Sequence, residues 1–112
     1  MKYALLIYSK PDWRDGVSEA DREAMFGEYV ALNDDSRCVA SGQLQPVETA
    51  TTVRVQDGQT LTTDGPFADT KEVFAGYYVY EAGDLDEAVQ VASRIPAARI
   101  GGAVEVRPIV EM

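Results

Sequence analysis

The chain has 112 residues, 46% of them hydrophobic, with a formal charge of -9, one cysteine and no histidine. That length suits one domain, 1-112, with a single modest core, and the shortage of clustered Lys and Arg excludes a nucleic-acid partner, leaving the charge to serve solubility. Without histidine neither a Cys-His zinc site nor a Ser-His-Asp triad can form within the chain, and the lone Cys38 can make no internal disulfide, which fits a cytoplasmic setting.

The opening run Met1 to Tyr8 is too short for a signal peptide and too short to span a membrane, so it reads as a buried strand over 2–8. Being apolar on both faces, it is expected at the centre of a sheet. Lys10 to Gly16 is a loop by its Pro, Asp and Gly content. Ser18 then stands as N-cap of a helix with acids in its first turn. Met25, Tyr29 and Leu32, with Phe26 and Val30 beside them, form its apolar stripe. The helix is expected to end between Asn33 and Ala40, with Gly42 marking the exit.

Thr51 to Val55 alternates and is rich in β-branched residues, a strand. Asp57-Gly58 turns it into a second strand over 60–63. After the Asp64-Gly65-Pro66 turn, Val73 to Tyr80 is the strongest strand signal in the chain. Asp84 caps a second helix with Glu87 in the capping-box position. Its predicted apolar face is Leu85, Ala88, Val89, Ala92 and Ile95, and Pro96 ends it. Residues 103–110 form the last strand.

The order β-α-β-β-β-α-β is an α+β layer with two helices on one face of a mainly antiparallel sheet. Setting aside the 51–63 hairpin as an addition leaves a ferredoxin-like split β-α-β pattern. The other sheet face has no helix to cover it. Tyr77 and Val79, or Tyr78 and Tyr80 on the opposite side, supply large apolar surface there, so the expected cover is a second copy of the chain.

Together, the strand from Lys2, Leu44-Gln45-Pro46, the Asp57-Gly58 hairpin, the run from Asp64-Gly65-Pro66-Phe67 through Thr70-Lys71-Glu72, Gly76-Tyr77-Tyr78, Asp84 to Ala88 and Val104 to Pro108 resemble the YCII-related superfamily. Within it they are similar to the DGPF-domain branch, named for the tetrapeptide at 64–67. The resemblance implies a ferredoxin-like fold assembled as a dimer related in shape to dimeric α/β barrels. Some members of the wider superfamily use a His-Asp pair, and one group acts on chlorinated aromatic breakdown products. This chain has the aspartate candidate, Asp64, and no histidine to pair with it. The branch is also often associated with extracytoplasmic-function sigma factors, which implies a transcription-linked setting.

Asp64 is therefore the candidate catalytic carboxylate, with an Asx-type turn at the Gly-Pro step as its plain structural reading. Thr70 and Lys71 are candidate ligand contacts on the same loop, although a loop threonine commonly bonds local backbone. Tyr29 and Tyr78 are candidate ligand donors, against a packing role. Arg107, like Arg54, offers a guanidinium for a carboxylate. Trp13 reads as a lid over apolar surface or a dimer contact. The acids Asp34-Asp35 and Asp84/Asp86/Glu87 lack the spacing of a calcium loop, so no metal is expected, and no cofactor. Two readings result. One is a dimeric small-molecule-binding or accessory protein holding an organic ligand. The other is a cofactor-free lyase, isomerase or hydrolase that uses Asp64 as its acid-base residue.

Overall fold

The computed structural model describes residues 1–112. Its elements are β1 (Lys2–Ser9), α1 (Glu19–Asp34), β2 (Cys38–Gln43), β3 (Thr51–Gln56), β4 (Gln59–Asp64), β5 (Val73–Glu81), α2 (Leu85–Ala92) and β6 (Ala103–Pro108), with short 3-10 turns at Trp13–Gly16, Val47–Thr49 and Pro96–Arg99. The main sheet has the order β2-β5-β1-β6 and every neighbouring pair in it is antiparallel. With one helix after β1 and one after β5, this is the ferredoxin-like arrangement.

β1 is central, as its two apolar faces predict. Tyr3, Leu5 and Ile7 are buried toward the helices beside Tyr78 and Tyr80 of β5, while Val104 and Val106 of β6 pack against them half-buried. The helices close this face with Leu32 from α1 and with Ala88, Val91, Ala92 and Ile95 from α2 and the turn that follows it. The Tyr80 hydroxyl donates to the Leu32 carbonyl, and the Tyr78 hydroxyl donates to the Tyr29 carbonyl at 2.8 Å. Tyrosine thus serves on β5 because its ring fills the core while its hydroxyl satisfies a helix carbonyl. The alternation also settles which pair faces outward: Ala4, Leu6, Tyr8, Tyr77 and Val79 lie on the face without helices and are half-buried.

The caps behave as the sequence indicates. Asp21 N–H donates to Ser18 Oγ at 3.1 Å, and Glu87 N–H donates to Asp84 Oδ1 at 2.9 Å. Glu87 accepts in turn from Gly83 N–H and from Arg37, whose guanidinium also forks onto Asp35.

Three expectations are corrected. Residues 38–43, read as the exit of a helix, form strand β2. Cys-Val-Ala-Ser-Gly-Gln has no clear alternation, and pairing with β5 across a bulge, rather than local preference, makes it a strand. On α2, Leu85 and Val89 are exposed and Val91 is buried in their place, because the sheet contacts only one narrow side of this short helix. The last strand stops at Pro108 rather than 110: Ile109 N–H still donates to Lys2 O at 2.9 Å, and β1, which begins at Lys2, offers no further partner.

β3 and β4 form a sheet of their own. Asp57 and Gly58 both have positive φ, at 50° and 78°, which matches the tight turn that Asp-Gly predicts. The hairpin stands away from the body, and Val53, Val55 and Leu61 on it are exposed. The radius of gyration is accordingly 15.9 Å, against about 13 Å for a compact chain of this length. The two legs of the arm are tied together at its foot, where Gly65 N–H donates to Ala50 O and Thr52 Oγ1 donates to Gly65 O, both at 2.8 Å.

Candidate functional site

Residues directly opposite one another on paired strands share a sheet face. Gly76 stands opposite Ile7, and Ser41 opposite Tyr78. All four therefore look toward α1, and two of them, Gly76 and Ser41, are small enough to leave space beneath it. Ser41 meets only Asn33, by a hydroxyl hydrogen bond to Oδ1. The glycine is required by close backbone approach: a Cβ at residue 76 would lie 2.7 Å from Gly42 O. Above this low floor the helix presents Met25, Phe26, Tyr29 and Val30. The gap between is a cavity of about 490 Å³. Phe26 and Val30 are exposed at its mouth, and Trp13 and Arg14 of the loop after β1 form its rim, the Arg14 guanidinium lying 4.8 Å above the Trp13 ring.

The cavity's chemistry departs from that of the chain. None of its 18 lining residues is Asp, Glu, Lys or Cys, and its only charged side chains are Arg14 and Arg22, although the chain carries 19 acids. Neither arginine takes part in the molecule's four ion pairs. Burial pushes the phenols of Tyr29 and Tyr78 above their ordinary range, so both stay neutral across physiological pH and serve as hydrogen-bonding groups rather than bases.

Of the residues singled out by sequence, Tyr29 and Tyr78 come together in this lining. Asp64, Thr70, Lys71 and Arg107 lie outside it. Asp64 ends β4 opposite Thr51, exposed, and its carboxylate makes no hydrogen bond. The Asx-type turn does not form, because residue 66 is proline and has no N–H to donate. Gly65 adopts a φ of 100°, which is what the turn needs from it. Thr70 donates to the Glu72 carbonyl, the local bond expected of a loop threonine. Lys71 is exposed and makes no ion pair; Phe67, 73% exposed, lies beneath the Arg54 guanidinium at 5.0 Å. Arg107 stands opposite Ala4, on the sheet face without helices.

Sequence reading missed Arg14, Arg22, Phe26 and Val30 as lining residues. The available signal was the width of the helix stripe: Phe26 and Val30 broaden it beyond what a core-facing seam uses. Elsewhere the clustered acids have structural partners, Asp35 on Arg37 and Asp84 on its own helix, and no group of three or more His, Cys, Asp or Glu could share a metal ion. No helix is long and apolar enough to cross a membrane.

Residues 1–112 match the model of the YCII-related domain family. A protein of Rhizobium meliloti (strain 1021), described only as uncharacterised, is 34% identical over 116 residues, covering 97% of this chain and 92% of the relative.

Proposed function

The chain belongs to the YCII-related domain family, and on that premise we propose that it is a dimeric small-molecule-binding protein in an accessory, transcription-linked role, with its ligand held in the cavity between α1 and the sheet. The cavity carries this reading. A space of about 490 Å³, apolar in most of its lining and open past Phe26 and Val30, has the size and character of a small-molecule site. Support for binding rather than turnover comes from the lining residues, which include no carboxylate, lysine, cysteine or histidine to move a proton near neutral pH.

A dimer is supported by apolar side chains left open on one copy: the sheet face with Leu6, Tyr8, Tyr77 and Val79, and the arm, with Val53 and Val55 on one side and Leu61 on the other. Sedimentation equilibrium should give twice the 12.2 kDa of the single chain. The alternative, a cofactor-free lyase, isomerase or hydrolase working through Asp64, requires a second titrating group beside that carboxylate. Within one chain Asp64 has no ion-pair or hydrogen-bond partner, so the second subunit would have to supply it.

The test is a thermal-shift screen of small organic molecules on the wild type and on Val30→Trp, which narrows the mouth from an exposed position. A compound that raises the melting temperature of the wild type alone, as mass action on the native state requires, places binding in the cavity. Equal shifts in both proteins would move the site elsewhere.

A further inference from the structure

We propose that the ligand of this cavity is a small organic anion, an apolar and mostly flat body bearing one carboxylate, with Arg22 as the group that holds the charge and Arg14 assisting from the rim. The inference rests on the binding reading above and goes beyond it by naming the ligand's chemical class.

The argument is one of charge against surroundings. In a chain of net charge -9, with 19 acids among 112 residues, a lining of 18 residues drawn without selection would contain several carboxylates. This one contains none, and it contains two arginines. Of the seven arginines, Arg37 pairs with Asp35 and Glu87 and Arg99 with Glu28, and of the five that make no ion pair only Arg14 and Arg22 line the cavity. Arg22 sits half-buried in the second turn of α1 and has no such partner. Its five donors are free to take a planar carboxylate in a fork. Arg14 is exposed and lies over Trp13, so it adds positive potential and a stacking surface at the entrance. Met25, Phe26, Tyr29 and Val30 along the helix, with Tyr78 and Ile7 on the floor, give the rest of the ligand an apolar and largely aromatic bed. The absence of acids keeps short-range repulsion out of the site, and the two guanidiniums give it a local positive potential that opposes the anion-repelling field of a chain of net charge -9.

The experiment compares 2-naphthoate with its neutral isostere 2-naphthamide by titration calorimetry, using the wild type, Arg22→Gln and Arg22→Lys, with circular dichroism verifying that each variant is folded. Naphthoate should bind the wild type at least about tenfold more tightly than naphthamide, the effect of one charge-assisted contact. Arg22→Gln should remove that preference, so that acid and amide bind alike. Arg22→Lys should keep part of it, since charge remains while the fork is lost. Equal binding of acid and amide, or a preference that survives Arg22→Gln, overturns the anion proposal while leaving a binding cavity in place. If neither compound binds the wild type, both the anion proposal and the cavity reading fail for ligands of this size.

Discussion

The body of the molecule and its hairpin arm carry equally clear local signals and have opposite fates. In the body, Leu5, Tyr80 and Ile95 are wholly buried between sheet and helices. In the arm, β-branched strands joined by an Asp-Gly turn fold as their sequence dictates, yet Val53 and Val55 remain 59% and 67% exposed. A two-stranded hairpin alone is marginal in water. The difference teaches that turn chemistry and alternation decide whether an element forms, while only a partner surface decides what it is worth.

Substitution should expose that contrast most sharply. Leu5→Ala is expected to cost about 2–5 kcal/mol of stability in urea unfolding, whereas Val55→Ala should stay within about 0.5 kcal/mol for the isolated subunit. A comparable cost at both positions would mean that the arm is covered in solution, and unfolding at several protein concentrations would show whether a second copy covers it.

The glycines sharpen the same comparison. Gly76→Ala drives a Cβ to 2.7 Å from the Gly42 carbonyl in the ladder beneath the cavity. Overpacking of this kind should cost about 1–3 kcal/mol. Gly65→Ala, at the arm's foot, meets no atom within 4 Å and suffers only from its φ of 100°, a cost of about 1 kcal/mol. If the loop glycine proves the more sensitive, the foot of the arm is more tightly constrained than its open surroundings indicate.

Tyr78→Phe removes the 2.8 Å hydrogen bond to the Tyr29 carbonyl while keeping the ring. It should lower stability by about 1 kcal/mol. An unchanged unfolding midpoint would show that helix and sheet are held here by ring packing alone.

The smallest expected effect is electrostatic and depends on pH. Arg37 holds the Asp35 carboxyl at about 2, below the usual carboxylate value. A depressed folded-state pKa contributes stability that is present above about 4, where the unfolded group titrates, and lost as pH falls toward 2. Asp35→Asn should therefore be slightly less stable than wild type at pH 6, and the gap should close as the pH is lowered to 2. A gap that persists at pH 2 would assign the effect to packing rather than charge.

Much of the fold was legible because its signals are local. The caps Ser18 and Asp84, the Asp57-Gly58 turn and the two-faced apolar run of the first strand each depend on neighbours in sequence. Strand β2 was not legible: its residues have no marked preference, and an edge strand is made by the partner it pairs with. The cavity was half legible. Tyr29 and Tyr78 stood out as aromatic donors, but Arg14 and Arg22 looked like any surface charge among many acids.

Sequence alone determined every element type but that of β2, the central place of the first strand and the lack of histidine chemistry, because propensity, alternation and composition need no knowledge of the third dimension. Tertiary structure alone decided which tyrosines face the helices, where α1 stands clear of the sheet, and which arginines are left without partners. Those outcomes depend on strand register across dozens of residues. One step of register turns every side chain to the opposite face.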